Sequence, residues 1–223
     1  MNWIDLNNPE PKQTAAIYTP IDWSTSRQEI LPAPTDQPPT DIFTALKNRR
    51  SALHFNPVNE QQLSNFLWHS CRCLNTTNSP YGFQLEQRPS PSAGAIHPIH
   101  LALKHPYNSS WWRYDPYNHA LQQIPDGQDK LLELSHQRKQ LNDSEQATEV
   151  LLLAEPGKMQ AKYNHANSLV WRDAGALIGI MSLVAESLNM SFCPLGMTGE
   201  PWAGDIVNQG ELHGVGMILV GSK

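Results

Sequence analysis

The sequence predicts an α+β fold in which helices pack on a mainly antiparallel sheet. Three patterns support this fold class. Ile99, Leu101 and Leu103 alternate with smaller or polar residues, which is the two-residue period of a half-buried strand. Continuous apolar runs at 150–154 and 215–220 are typical of fully buried strands. Residues 173–188 repeat apolar side chains every three or four positions, as an amphipathic helix does.

The first part of the chain, residues 1–39, is predicted to form an extended arm. Seven of the 18 prolines fall in this segment, and no helical or alternating period survives between them. The arm also carries apolar residues, among them Tyr18, Ile21 and Trp23. We therefore expect it to lie against another surface, with a second subunit as one option.

The remaining elements belong to a single predicted domain, residues 40–223. Thr40 or Asp41 can cap one helix, and Asn59 can cap a second helix whose apolar residues continue to Leu74. Residues 112–114 and 120–124 flank the turn-forming segment 115–118 and predict a hairpin. Residues 128–141 are predicted to be helical.

Composition and charge exclude several classes of protein. The chain of 223 residues has a formal net charge of -5 and no basic run longer than Arg49–Arg50, which argues against a nucleic-acid surface. Its longest apolar runs fall short of the about 20 residues that a membrane helix needs. Residues 1–5 do not resemble a secretory signal, and the three cysteines fit reduced thiols. We expect a soluble cytoplasmic protein, and no metal site, since no Cys/His group has ligand spacing.

The helix predicted from Asp173 is apolar on two faces. Such a helix needs cover on both sides. Gly175 and Gly179 lie four residues apart and would let another backbone approach closely. This pattern favours a homodimer with the helix at its axis; a buried helix within a monomer is the alternative.

Two segments are rich in groups that can bind a ligand. Arg49, Arg50 and Ser51 place two guanidinium groups and a hydroxyl at a helix end, which suits a phosphate, although the charges can also simply complement the helix dipole. Residues 88–95 combine prolines with small residues, so their backbone can approach a flat ligand, or they form only a well-ordered loop. Dinucleotide-binding, P-loop and serine-hydrolase motifs are absent from the sequence.

Several short motifs, in this order, resemble the nitroreductase superfamily. They are Arg49–Arg50–Ser51 with Phe55 and Pro57, the segments 91–98 and 112–116, Arg172–Asp173–Ala174–Gly175, and Cys193–Pro194–Leu195–Gly196. Within that superfamily the chain is most similar to the SagB-type branch, which includes the azoline dehydrogenases that make thiazoles and oxazoles in ribosomal peptides. The resemblance covers about residues 40–223. It implies an FMN-dependent α+β homodimer with the flavin at the subunit interface.

The same resemblance implies cofactor contacts at named positions. Arg49 and Ser51 match phosphate and ribityl contacts, and Arg50 and Lys223 would add positive charge. The isoalloxazine would lie against Pro91, Ser92, Ala93 and Gly94, and the backbone of Leu195 and Gly196 would face flavin N5. Two departures would weaken phosphate binding. Leu53 stands where many members have Arg or Lys, and the terminal carboxylate of Lys223 would partly cancel the charge of that lysine.

The adjacent pair Lys162–Tyr163 matches a Lys-Tyr pair that azoline dehydrogenases use in catalysis. The chemistry is consistent with that role. Removing a proton from a ring carbon while hydride leaves to the flavin requires a base, and a neighbouring ammonium favours the phenolate form of tyrosine. The alternative is a surface lysine beside a half-buried tyrosine.

The leading hypothesis is therefore an FMN-dependent, SagB-like dehydrogenase that oxidises an azoline or similar heterocycle in a peptide or small molecule. Because the arm is too short for a peptide-recognition domain, a partner protein is expected to deliver the substrate. Two alternatives stay open: a general NAD(P)H-dependent nitro- or quinone-reductase, and a flavin-free scaffold that keeps the fold.

Overall fold

The computed structural model describes residues 4–23, 27–36, 40–107, 109–124, 128–207 and 211–223; Pro38 and Pro39 of the predicted arm lie outside these ranges. The helices are α1 (Ile42–Asn48), α2 (Glu60–Cys71), α3 (Gln128–Lys139), α4 (Pro156–Gln160) and α5 (Asn167–Ser187), with 3-10 turns at Ala93–Ala95 and Trp202–Asp205. The strands are β1 (Glu10–Pro11), β2 (Gln28–Ile30), β3 (Asn75–Thr77), β4 (Leu85–Gln87), β5 (Ile99–Lys104), β6 (Trp112–Asp115), β7 (Ala120–Gln123), β8 (Thr148–Ala154), β9 (Tyr163–Asn164), β10 (Met190–Leu195) and β11 (His213–Ser222).

A seven-stranded sheet, in the order β10-β11-β8-β5-β6-β7-β2, forms the centre of the molecule. Every neighbouring pair in it is antiparallel, which confirms the predicted fold class. In β8, Leu152 packs in a core cluster with residues of α2 and α5, whereas Leu151 and Leu153 pack on the opposite side with residues of α3. Because both faces of the sheet are covered, β8 is an uninterrupted apolar run.

Two predicted helix starts are confirmed. The Asp41 side chain accepts a hydrogen bond from the backbone N–H of Thr44, and Asn59 forms a capping box with Gln62. The prediction that α2 continues to Leu74 is wrong. The helix ends at Cys71 because the next backbone groups bond elsewhere: the N–H of Leu74 donates to Gln87 O, at the start of the β3–β4 pairing.

The long helix α5 begins at Asn167, six residues before the predicted start at Asp173. Its N-cap residue, Ala166, provides no side-chain cap, so the sequence lacks the usual start signal. Leu177 and Met181 pack in the core, but Gly175 and Gly179 are exposed, and a Cβ on either would have no atom within 4 Å. Among the described residues, α5 is the one helix that is long and apolar enough to cross a membrane. Its buried side chains pack in the core of this domain.

The arm lies against its own chain. Strand β1 pairs with β9, and β2 forms the outer edge of the large sheet beside β7. Ile21 and Leu31 are buried in the two main core clusters. The same subunit therefore covers Ile21 and Leu31, whereas Ile17 and Ile30 of the arm remain exposed.

Candidate active site

The predicted loop Pro91–Gly94 and the predicted pair Lys162–Tyr163 meet in the structure. Gly94 has a φ of +66°, in the left-handed region that favours glycine. A Cβ at this position would lie 2.8 Å from Lys162 Nζ and 2.9 Å from Tyr163 Oη. Two segments that are distant in the sequence thus form one local site.

Asp173 anchors this loop to the central helix α5. Ser92 Oγ donates to Asp173 Oδ2 at 2.5 Å, and the Ala93 N–H donates to Asp173 Oδ1 at 3.1 Å. Ser92 Oγ also accepts from the N–H of His97. Burial raises the pKa of Asp173, although the hydrogen bonds from Ser92 and Ala93 act against that rise. The Asp173 carboxylate therefore fixes the backbone that leads into Gly94.

Lys162 and Tyr163 are half-buried at the edge of this site. Lys162 Nζ lies 5.4 Å from the centre of the Tyr163 ring and 5.8 Å from that of Tyr81, so aromatic faces surround the ammonium on two sides. Both functional groups remain within reach of a ligand that lies against the loop.

A layer of buried charged and polar groups lies behind the loop. Glu86 pairs with Arg88 and with Lys158, and Lys158 Nζ donates to His97 O at 3.2 Å. Burial lowers the pKa of Lys158, and the Glu86 carboxylate opposes that effect. Through this ammonium α4 is tied to His97, three residues after Gly94, so the loop is held on this side as well as by Asp173.

A cavity of about 20 Å³ lies beside the loop. Its lining includes Ser92 and Asp173 on the loop side, and His97, His100 and Arg88 on the other. That volume and polarity suit about one water molecule. Burial lowers the pKa of both histidines to about 4, so both rings are neutral at pH 7.

The predicted phosphate residues lie elsewhere, beside β10. Arg49 ends α1, Ser51 is exposed, and Arg50 Nη1 donates to Lys47 O at 2.9 Å. Ala52, which follows Ser51, donates its N–H to Phe192 O in β10 at 2.9 Å. Segment 49–51 is thereby joined to β10.

Leu195 and Gly196 stand at the far end of β10. Gly196 is exposed, and a Cβ there would meet no atom within 4 Å. Lys223 is at the opposite end of the β10–β11 ribbon, since Ser222 pairs with Met190. Its Nζ is 3.2 Å from Glu186 Oε2.

The candidate residues thus form two groups. Group 1 contains Pro91, Ser92, Ala93, Gly94, Lys162 and Tyr163; group 2 contains Arg49, Arg50, Ser51, Leu195, Gly196 and Lys223. Hydrogen bonds connect group 1 to α5 and the arm. In group 2, Arg49 and Arg50 bond to α1, whereas Lys223 bonds to Glu186 of α5. The structure brings the members of group 1 together but joins the two groups by no hydrogen bond among the described residues.

Sequence reasoning missed the anchoring role of Asp173 and two residues beside the site, Glu155 and Tyr18. Glu155 donates its N–H to Pro98 O at 2.9 Å and accepts a hydrogen bond from the Tyr18 hydroxyl at 2.9 Å. An acidic residue directly after the apolar run 150–154 is a signal that points to Glu155, because a buried strand end seldom carries an unpaired charge. Tyr18 carries no comparable signal, since its partner is distant in the sequence.

Comparisons with known proteins agree with this architecture. Residues 46–209, well over half of the chain, match the Nitroreductase family. The chain belongs to that family, whose members are oxidoreductases. No curated protein matches the chain.

Several solved structures share the fold of this chain at low sequence identity. A protein assigned as a nitroreductase from Ralstonia eutropha JMP134 aligns with a TM-score of 0.62 at 18% identity, covering 97% of this chain and 98% of its own. The E. coli microcin synthetase McbBCD complex with truncated pro-MccB17 bound gives 0.54 at 15% identity, covering 87% and 78%. A nitroreductase with bound FMN from Bacteroides fragilis NCTC 9343 aligns with a TM-score of 0.50 at 16% identity, covering 83% of this chain and 89% of its own. At these identities the likeness shows the fold alone.

Proposed function

We propose that the protein is an FMN-dependent dehydrogenase of the SagB type that oxidises an azoline or similar heterocycle in a peptide or small molecule. The observation that carries the proposal is the meeting of Gly94 with Lys162 and Tyr163. A general nitro- or quinone-reductase takes its hydride from a nicotinamide and needs no acid-base pair beside the flavin-binding loop.

In this proposal polar groups of segment 49–51 bind the FMN phosphate. Arg49 and Arg50 offer guanidinium groups, and Ser51 offers a hydroxyl, for a phosphate and ribityl chain. The open space at Gly196 leaves its backbone accessible to a flat ring, and Pro91–Gly94 would line the other face. Bound FMN would supply the hydride acceptor for the oxidation.

The chain's own residues would handle the proton. Conversion of an azoline to an azole removes one hydride and one proton from the ring. In this proposal the Tyr163 oxygen takes the proton as the C–H bond breaks, and Lys162, whose Nζ lies 5.4 Å from the Tyr163 ring centre, is its charged neighbour. Gly94, with no side chain, leaves both groups free to reach the ring.

A homodimer would complete the site. Among the described residues no hydrogen bond joins group 1 to group 2, and a Cβ on Gly175 or Gly179 of α5 would meet no atom within 4 Å. Ile42, Phe43 and Leu46 of α1 are also exposed apolar residues. A second copy would cover these surfaces and bring group 2 of one subunit towards group 1 of the other. In this proposal the dimer is cytoplasmic, and a partner protein delivers the substrate.

The test begins with the absorbance spectrum of the purified protein and an FMN titration. Anaerobic mixing with an azoline peptide is then compared with mixing with NAD(P)H, following the loss of flavin absorbance. We expect about one FMN per subunit and rapid loss with the azoline peptide. Loss with NAD(P)H alone would indicate the general reductase instead, and a colourless protein that rejects FMN would indicate the scaffold.

A further inference from the structure

We propose that Tyr18 of the N-terminal arm is a positioning residue for the Lys162–Tyr163 pair. It acts through Glu155 and Gly157, on the segment that leads into the pair. The catalytic consequence rests on the proposed function, whereas the positioning itself rests only on the contacts that follow.

The arm supplies the strand partner of the pair. In β1, Pro11 lies opposite Tyr163. The N–H of Lys12 donates to Lys162 O at 2.8 Å, and the N–H of Ala16 donates to Ala161 O at 3.1 Å. Because an isolated two-stranded ribbon is only marginally stable in water, these bonds alone do not hold β9 in place.

Tyr18 adds the missing anchor. Its hydroxyl donates to Glu155 Oε1 at 2.9 Å, and its ring lies against Gly157 so closely that a Cβ there would be 2.1 Å from Tyr18 Cε2. Its backbone N–H donates to Tyr81 O at 2.8 Å, and the Tyr81 ring faces Lys162 Nζ. Tyr18 thus contacts the start of the 155–163 segment and also Tyr81, whose ring lies beside Lys162.

Glu155 is the buried carboxylate to which the Tyr18 hydroxyl bonds. Its side chain is fully buried and accepts three hydrogen bonds, from Tyr18 Oη, from the N–H of Ile21 at 2.7 Å and from His100 Nε2 at 2.7 Å. Burial alone would raise the pKa of Glu155, but the bonds from His100 and Ile21 and the charge of Lys158 lower it overall. A buried carboxylate keeps its geometry only when its donors are in place, so loss of one donor loosens the segment.

The hydroxyl of Tyr18 is suited to that task. Burial and the Glu155 carboxylate raise its pKa, so the phenol stays protonated and donates throughout the neutral range. Trp23, further along the arm, packs its ring against His100 and Arg113, which closes the same buried cluster. The arm therefore both covers the charged layer and fixes the strand that carries the pair.

The experiment compares full-length Tyr18→Phe and Gly157→Ala with the wild type. The first variant keeps the ring and removes the hydroxyl; the second keeps the hydroxyl and displaces the ring. Tyr107→Phe is the matched control, because Tyr107 is exposed and its hydroxyl bonds only to Gln146 among the described residues. Amide hydrogen exchange of residues 161–164 is the primary measurement, with FMN affinity and azoline-driven reduction measured alongside.

We expect exchange at 161–164 to be about tenfold faster in both variants, since a hydrogen bond to a charged group is lost or displaced. FMN affinity should stay at the wild-type value and azoline-driven reduction should fall by a similar factor. Wild-type exchange in both variants would overturn the inference. Faster exchange together with a wild type that never oxidises an azoline would overturn the proposed function and leave the positioning role intact.

Discussion

Lys162 Nζ lies 2.8 Å from the point that a Cβ on Gly94 would occupy. The left-handed backbone of Gly94 and the anchor at Asp173 fix this approach from the loop side, and the arm fixes it from the other side. The absence of a side chain at position 94 is therefore a structural requirement of the site.

Gly94→Ala should disturb the pair directly. The added methyl group would displace Lys162 Nζ and Tyr163 Oη and would strain a φ of +66°. We expect azoline-driven reduction to fall by about tenfold or more, from misplacement of the acid-base groups. Single-turnover kinetics on the flavin-loaded variant measure this loss. Gly204→Ala is the control, because its Cβ would meet only an ordinary contact at 3.7 Å; equal rates in the two variants would contradict the prediction.

Arg49→Ala should weaken FMN binding more than Lys223→Ala does. The Lys223 ammonium is already paired with Glu186, at 3.2 Å. The Arg49 guanidinium forms no ion pair or side-chain hydrogen bond with the described part of the chain, so its charge is available to a phosphate. We expect a loss of about 1.5–3 kcal/mol for Arg49→Ala, typical of a charge-assisted hydrogen bond. Fluorescence titration with FMN decides the order, and a larger loss for Lys223→Ala would reverse it.

The variant Gly175→Ala distinguishes a dimeric protein from a monomeric one. In an isolated subunit the methyl group would meet no atom within 4 Å, and replacing a helical glycine should stabilise α5 by about 1 kcal/mol. In the proposed dimer the same group would obstruct the close approach of a second copy. We expect sedimentation analysis to show weaker dimerisation. A thermally stabilised variant with unchanged self-association would contradict this use of the α5 stripe.

Stability should fall as the pH is lowered from 7 to 5. His97 and His100 have a folded-state pKa of about 4, below the unfolded value of about 6.5. Their contribution is complete above pH 6.5 and is lost as the pH falls towards 4, because the unfolded chain takes up the protons first. Each histidine therefore costs about 2 kcal/mol of unfolding free energy between pH 7 and pH 5.

Urea unfolding of wild type and His97→Asn at both pH values measures this effect, at one protein and FMN concentration. Asparagine tolerates the positive φ of residue 97 and does not titrate. The variant should lose about 2 kcal/mol less than the wild type on acidification, in keeping with the removal of one titrating group. An identical loss in the two proteins would show that His97 does not titrate as its burial requires.

Much of the fold could be predicted from local patterns. The apolar runs of β8 and β11, the caps at Asp41 and Asn59, and the hairpin β6–β7 all follow from short-range rules. The start of α5 could not be predicted, since Ala166 gives no capping signal.

The candidate site is less accessible to such rules. The sequence indicates Lys162 and Tyr163 only through the family resemblance, and their proximity to Gly94 depends on tertiary packing. The roles of Tyr18 and Glu155 depend on a contact between the arm and the end of β8, which no local period encodes. Whether group 2 meets group 1 depends on a second chain, so it stays a prediction.

The most direct test of the central claim is single-turnover reduction of bound FMN by an azoline peptide in wild type, Tyr163→Phe, Lys162→Ala and the double variant. Tyr163→Phe keeps the ring and removes the proton acceptor, so we expect a loss of roughly 100-fold or more with FMN binding unchanged. Lys162→Ala should cause a similar loss, and the double variant should be hardly worse, because the two residues act as one unit. Azoline-driven reduction at the wild-type rate in Tyr163→Phe would contradict the account.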